Sequence, residues 1–326
     1  MITTSAGIGG GGQELPDDLV LPFGTVKSRV SGRIVRLGRS VDTILSSHEY
    51  PPVVSEALGQ ALALTALLGN PLKPGGRLIL QTKSDGPLGF LVAHYDAPGK
   101  LRGYAGVDAG RLAAGTARIE QGALLGRGRM AMTIDPGGEQ VSHQGIVAMD
   151  GGTLADAAHA YFRQSEQLPT FIRLAVARHF IGRDANGAQQ WRWRAGGLVV
   201  QHVPSAGGEP RPDETPEERD ARMHGEQDDD WVRVRLLAST VEDHELLDPM
   251  LKTERLLLRL FHEEGVRVAP AVGIKAECRC SRDRIRGFLR GFSASELADM
   301  REPDGAVTVT CEFCSTKYRF EQNEVG

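Results

Sequence analysis

Lys275-Ala-Glu-Cys-Arg-Cys-Ser281 and, after 30 residues separating the two cysteine pairs, Cys311-Glu-Phe-Cys314 decide how this chain is organised. The first 277 of its 326 residues contain no cysteine, and the last 49 contain all four. In a chain expected to be cytoplasmic, two close cysteine pairs mean a metal more often than a disulfide framework. Each pair offers two thiolates to one edge of a tetrahedron around zinc, with Zn–S of about 2.3 Å. Four sulfurs close the coordination sphere and leave no position for water or substrate. That argues against hydrolytic chemistry and for a structural or redox role, with Cys278, Cys280, Cys311 and Cys314 as ligands of one zinc ion.

Around the first pair stand Lys275, Arg279, Arg282, Arg284, Arg286 and Arg290. Positive neighbours favour thiolate over thiol. The same arginines could equally form a solvated helix face. A phosphate-binding patch is a third reading, weakened by Glu277 and Asp283 and by the scarcity of aromatics beyond Phe288 and Phe292. Between the pairs, Ile285, Phe288, Leu289 and Phe292 form an apolar stripe, and Ser293 with Glu296 is a capping-box pattern. Val307–Thr310 and Tyr318–Phe320 then read as a hairpin flanking Cys311 and Cys314. A module this small, taken as residues 271–326, has little core, so the metal is expected to supply much of its folding free energy.

Working upstream, residues 231–270 are predicted as an apolar helical linker. Asp248-Pro249 reads as a helix start and Gly265 as its stop. The intervening Met250, Leu251, Leu256, Leu257, Leu258, Leu260 and Phe261 are apolar over more than one stripe and demand a partner. Plain docking on the N-terminal domain and conditional burial, exposed in one state and covered in another, are equally open. Trp231 to Leu237 fits helix and strand equally badly. Residues 205–230 carry ten acids against three arginines, which leaves the rest of the chain net positive although the total is −4. With almost nothing apolar, this segment is expected to be a disordered acidic linker.

Residues 20–204 read as one core domain. Val53 to Leu68 is a helix, with Pro51 and Pro52 at its start and Gly69 and Pro71 behind it. Arg77–Lys83, Phe90–Tyr95 and Leu101–Val107 are strands separated by Asp85-Gly-Pro87 and Ala97-Pro-Gly99. Met130–Ile134 and Gly145–Met149 are further strands, Thr153 with Asp156 caps a second helix, and Phe171–Ala177 and Leu198–Val203 close the domain. Short strands with interspersed helices predict an α+β fold, a mixed strand and helix core followed by the helical linker and the small zinc-binding domain. Residues 1–19, with Gly7 to Gly12, read as a flexible tail because no Lys-Ser/Thr follows the glycines.

Several function classes are disfavoured. No apolar run approaches the roughly 20 residues of a membrane span, so no membrane partner and a cytoplasmic location are expected. The net negative charge predicts no broad nucleic-acid affinity. None of the nine histidines (His48, His94, His143, His159, His179, His202, His224, His244, His262) sits in a metal or triad spacing, and neither a P-loop nor Gly-x-Ser-x-Gly is present. An enzyme is therefore not expected, although thiol exchange on the cysteines would be the enzymatic alternative. Linkage supplies a different role for the sulfurs. If zinc holds the module together, oxidising a thiolate ejects the metal and unfolds the module, freeing whatever it packs against, which is expected to be the 231–265 segment.

The Cys-x-Cys…Cys-x-x-Cys ending resembles that of the bacterial redox-regulated heat-shock protein 33 family, the 33-kDa chaperonins. Gly32-Arg-Ile-Val-Arg-Leu37, Ala61-Leu-Ala-Leu-Thr-Ala-Leu-Leu68, Leu80-Gln-Thr82 with Asp85-Gly-Pro87, Leu101-Arg-Gly-Tyr104 and Tyr161-Phe-Arg-Gln-Ser-Glu166 resemble its core-domain segments in the same order. Glu245-Leu-Leu-Asp-Pro249 and Arg259-Leu-Phe-His262 resemble its linker. The resemblance implies an ATP-independent holdase, inactive when reduced and zinc-bound. Oxidation would form Cys278–Cys280 and Cys311–Cys314 disulfides, release zinc, unfold the linker and favour a homodimer. Its partners would be unfolding client proteins and the ATP-dependent foldase chaperones that receive them. The long acidic stretch from Ser205 to Asp230 departs from the family pattern and blurs the linker's boundary.

Overall fold

The computed structural model describes residues 2–4, 17–28, 30–114, 121–202, 215 and 228–325. In chain order the strands are β1 (Ile2–Thr4), β2 (Leu19–Thr25), β3 (Val30–Leu37), β4 (Arg77–Ser84), β5 (Leu88–Asp96), β6 (Lys100–Val107), β7 (Arg127–Asp135), β8 (His143–Asp150), β9 (Thr170–Arg183) and β10 (Gln189–His202). Helices α1 (Arg39–Leu45), α2 (Pro52–Gly69), α3 (Ala109–Ala114), α4 (Gln121–Leu125) and α5 (Leu154–Tyr161) are interspersed, the last followed by a π-helical turn over Phe162–Glu166. The linker adds α6 (Asp229–Ser239), α7 (Asp243–Leu247) and α8 (Thr253–Phe261). Then come β11 (Val266–Val268), β12 (Val272–Gly273), β13 (Lys275–Ala276), α9 (Arg282–Leu289), α10 (Ala294–Asp299), β14 (Val307–Thr310), β15 (Lys317–Phe320) and α11 (Gln322–Val325). The α+β class expected from the sequence is the one found.

Two sheets enclose α2. The first has the order β1-β11-β2-β3-β10-β9, with β12 also on β2, and the second runs β13-β6-β5-β4-β7-β8. Pro52 starts α2 where a missing N–H costs nothing. Leucines and alanines then cover it all round, and such a helix is stable only when buried on every side. Leu58, Leu62, Leu64 and Leu67 are fully buried, each contributing about 2 kcal/mol. At 18 residues and mean hydropathy 1.3, α2 comes nearer to membrane-span length and composition than the sequence reading allowed. Its place between the sheets makes it a core helix.

The first sheet is buried on both faces, which explains the near-continuous apolar runs in its strands. Side chains alternate across the sheet. Val20, Val35, Leu37 and Val199 face α2, whereas Leu19, Leu21, Phe23, Ile34, Leu198 and Val200 face outward. The linker lies on that outer face, burying Trp231, Val234, Leu246, Leu256, Leu257, Leu260 and Phe261, with Phe261 stacked on Phe23 at 5.6 Å. The structure therefore displays the docked state, which both readings contain. The 231–265 segment is covered by the core sheet, and the cysteine module has a separate small core of Leu289, Leu297, Val307, Phe320 and Val325. Among the described residues only Ala271, at the module's start, packs in the linker's apolar cluster, and no hydrogen bond or ion pair joins 278–325 to the linker helices, so the expected broad packing of module on linker is not what is found.

Other details correct the sequence reading. Trp231 to Leu237 is helical, and Asp228 caps it by accepting the N–H groups of Asp230 (2.8 Å) and Trp231 (3.3 Å), so the last acids of the 205–230 stretch open a helix. Most of that stretch lies outside the described residues. Asp248-Pro249 does not start a helix. Asp248 ends α7, its Oδ1 accepts the Met250 N–H at 2.8 Å, and α8 begins only at Thr253. The turn persists because the carbonyls of Glu245, Asp248 and Leu251 all accept from the buried guanidinium of Arg36. Within the expected flexible tail, Asp17 pairs with Arg194 at 2.7 Å and Asp18 accepts the Gly38 and Ser40 N–H groups at 2.9 Å each, while Ile2–Thr4 pairs with β11. Strands β9 and β10 run well beyond their expected ends, as a ribbon turned at Asp184-Ala-Asn-Gly187, where Gly187 has φ +81°.

Glu264 ties the linker's end to the core. It is buried, accepts from Arg233 at 2.6 Å, and its carbonyl accepts the N–H groups of Val26 and Lys27. Hydrogen bonds from Arg233 within the linker and from Ser28 of the core hold its carboxyl below the usual 4.5, so its charge bears on the docked contact as well as on the linker itself. A depressed folded pKa contributes stability that is complete above the unfolded value and is lost as pH falls through the folded one. Linker docking is thus expected to weaken only below about pH 4.5. In Glu264→Gln the acid sensitivity of linker amide exchange should diminish, and an unchanged acid profile would rule this contact out as its source.

Candidate metal centre

After α8 the chain turns at Gly265, whose φ of +69° suits glycine, and runs across both sheets. β11 and β12 pair with β2, and β13 pairs in parallel with β6, Lys275 opposite Lys100. The Lys275 N–H donates to Gly99 O at 2.8 Å and the Glu277 N–H to Leu101 O at 3.0 Å. This lacing delivers Cys278 to the edge of the second sheet. Ser281 then caps α9 by accepting the Arg284 N–H, and the Ser293–Glu296 capping box starts α10, as its spacing predicts. The β14–β15 hairpin presents Cys311 at its turn, where the Ser315 N–H donates to Cys311 O at 2.8 Å. Leu289 is buried as the stripe predicts, but Phe288 is largely exposed.

All four cysteine sulfurs lie within 4.8 Å of one another, and all four are free thiols. The close approaches run between the pairs, 3.7 Å from Cys278 to Cys311 and 3.3 Å from Cys280 to Cys314. A tetrahedron with Zn–S of about 2.3 Å has S···S edges of about 3.8 Å. The donor set and spacing therefore fit one small, thiophilic cation.

The electrostatics agree. Burial pushes the Cys280 thiol up to about 12, and burial also raises Cys311, with hydrogen bonds to neighbouring cysteines adding to both. Burial opposes ionisation of Cys314 too, but hydrogen bonding with Thr316 and with Cys280 and Cys278 brings it down to about 7. Cys314 ionises readily while Cys280 and Cys311 resist, as expected when thiolates crowd together without a cation. Tyr318 adds a hydrogen bond to Cys280 Sγ at 3.2 Å.

The expected basic surround does not point at the sulfurs. Arg282 and Arg286 pair with Glu324, Lys275 with Glu277, and Arg279 with Asp96. Among the described residues none of these four side chains hydrogen-bonds a sulfur, and each is paired with a carboxylate. Among the described residues no histidine joins the cluster. His159 accepts the Ile172 N–H at 3.1 Å, and His202 is buried beside Asp228 at 3.5 Å.

Sequence reasoning missed the core side of the site. Phe313 lies against Tyr104 (ring centroids 4.5 Å apart) and His94 (5.3 Å), with the Arg102 guanidinium 4.2 Å over its ring. Ser315 Oγ is 3.2 Å from His48 Nδ1. Burial, with Arg102 beside it, takes His94 down to about 4, so it faces Phe313 as a neutral ring. The partners lie more than 200 residues upstream of the second cysteine pair, and no local pattern marks them.

The family model described as Hsp33 protein matches residues 18–321. The chain is 43% identical over 308 residues to the 33 kDa chaperonin of Caulobacter vibrioides strain NA1000, covering 94% of this chain and 95% of that one. It is 36% identical over 299 residues to the 33 kDa chaperonin of Nitrosococcus oceani, covering 91% and 89% respectively. The crystal structure of the Thermotoga maritima 33 kDa chaperonin shares the fold with a TM-score of 0.68 at 23% identity, covering 94% of this chain and 96% of that one. With its four cysteines gathered at one point, the chain belongs to the Hsp33 family of chaperones, a non-enzymatic family.

Proposed function

We propose that this chaperone is an ATP-independent holdase switched by the redox state of Cys278, Cys280, Cys311 and Cys314. The gathering of four free thiols within 4.8 Å carries the reading, because it makes one metal ion both the folding nucleus of the module and the target of an oxidant. In the reduced state one zinc per chain is held by the four sulfurs and the linker stays docked. Peroxide oxidises Cys278 with Cys280 and Cys311 with Cys314. Forming each disulfide takes two electrons from a pair of thiolates and, with two protons, reduces one hydrogen peroxide to two waters, and zinc leaves as its thiolates are consumed. A disulfide within Cys-x-Cys closes a small, strained ring that is comparatively easy to reduce, which suits a reversible switch.

The functional parts we assign are a core at 20–204 preceded by a tail at 1–19, an acidic linker at 205–230, an apolar linker at 231–270 and the switch at 271–326. Loss of the switch frees the 266–277 strip, which is continuous with α8, and so loosens the linker. That route replaces the direct module–linker contact expected from the sequence. The uncovered linker then binds unfolding client proteins in the cytoplasm, dimerisation follows, and ATP-dependent foldases take over the clients. Nucleic acid and membranes are not partners.

Peroxide with mild heat should release about one zinc per chain, the stoichiometry of one four-sulfur site, and in parallel turn on suppression of aggregation of a denatured client. Equal suppression by the fully reduced protein would sink the regulatory reading.

A further inference from the structure

The residues lodged between the cysteines have a second task. In Cys278-Arg-Cys280 the interposed Arg279 pairs with Asp96 at the end of β5, where Arg77 also binds at 2.7 Å. In Cys311-Glu-Phe-Cys314 the Glu312 side chain is hydrogen-bonded to Tyr104 of β6, and Phe313 fills the angle between Tyr104, His94 and Arg102. Asp96 is buried and Tyr95 beside it is one of the largest fully buried side chains, so the receiving surface is rigid. Every non-cysteine residue of both motifs thus touches the same two core strands.

We propose that Arg279, Glu312 and Phe313 are positioning residues that clamp the cysteine module onto β5 and β6, and that Phe313 is the key of the clamp. The proposal rests on the redox-switch reading above. A side chain held between two sulfurs on one short loop cannot keep its place once that loop changes shape. Undocking then needs no transmission through the module's small core. The aromatic and guanidinium contacts of Phe313 are of the kind that discriminates a docked ring from a solvated one.

The test uses the full-length, reduced, zinc-loaded chain. Phe313→Ala should still bind one zinc per chain. Exchange of the Lys275 and Glu277 amides, which hold β13 on β6, should quicken about tenfold, as loss of two ring contacts and one cation–π contact implies. Peroxide should release its zinc severalfold faster. Arg102→Ala, which changes only the core side, should reproduce the faster exchange, and Phe313→Trp should restore protection. Unchanged amide protection in both Phe313→Ala and Arg102→Ala would overturn the clamp. Loss of zinc from Phe313→Ala before any oxidant would overturn it too, since the residue would then serve the metal site itself. Failure of the redox reading would look different, as wild-type protein that binds no zinc or gains no activity on oxidation.

Discussion

Cys278→Ser is expected to lose zinc and, with it, the fold of the whole C-terminal module. Serine keeps the size of the side chain but replaces a thiolate with a hydroxyl that does not ionise at neutral pH. Structural zinc sites contribute about 10–16 kcal/mol to folding of small modules, so removing one ligand of four should weaken binding by about a thousandfold or more. Nothing else can substitute. The module's own core is the five buried side chains Leu289, Leu297, Val307, Phe320 and Val325, too few to order some fifty residues. The core domain should keep its stability, because α2 and its enclosing sheets share no side chain with that small core. Competition with a chromophoric chelator measures the affinity, and amide exchange over Val307–Thr310 reports the fold. Zinc affinity equal to wild type would show that Cys278 is not a ligand.

Much of this was legible in the sequence, where the signals were local. The Cys-x-Cys and Cys-x-x-Cys spacing located a site whose sulfurs do converge, because ligands two or three residues apart can share one edge of a tetrahedron. Thr153 with Asp156 and Ser293 with Glu296 form the capping boxes their spacing predicts, since a cap involves only four consecutive residues. Helix α2 was found by its flanking prolines and apolar run, but that run could not say that both sheets would cover it. The misreadings share one cause. Asp248-Pro249 has the local form of a helix start, yet an arginine more than 200 residues upstream holds the carbonyls of the turn. Likewise the module's docking partners, Asp96, Arg102 and Tyr104, are ordinary strand residues until the fold brings Arg279 and Phe313 to them.

Arg36→Ala is expected to release the linker while leaving the zinc in place. Arg36 lies on β3, only 4% exposed, and its guanidinium donates to the carbonyls of Asp248 and Glu245 at 2.7 Å each and to that of Leu251. Two sequence stretches that had suggested the family, Gly32–Leu37 and Glu245–Pro249, therefore meet in space through this one side chain. The approach is close. A Cβ on Gly196, opposite Arg36 on β10, would sit 2.6 Å from Leu246 O, so glycine is required there. Alanine at position 36 takes the guanidinium donor from the carbonyls of Glu245 and Leu251 and leaves Asp248 O only the Leu251 N–H at 3.3 Å, and each buried carbonyl left unsatisfied costs about 1–3 kcal/mol. The penalty falls on the linker's docked state, because a linker lifted off the sheet returns its carbonyls to water. Amide exchange in α7 and α8 should then quicken by two orders of magnitude or more while α2 stays protected, and zinc should remain at one per chain, as a four-sulfur site requires. If the docked linker is what hides the client surface, the reduced, zinc-loaded variant will suppress aggregation without oxidant. Exposed linker amides with no gain of chaperone activity would move the client-binding surface elsewhere, to the faces of the core sheets.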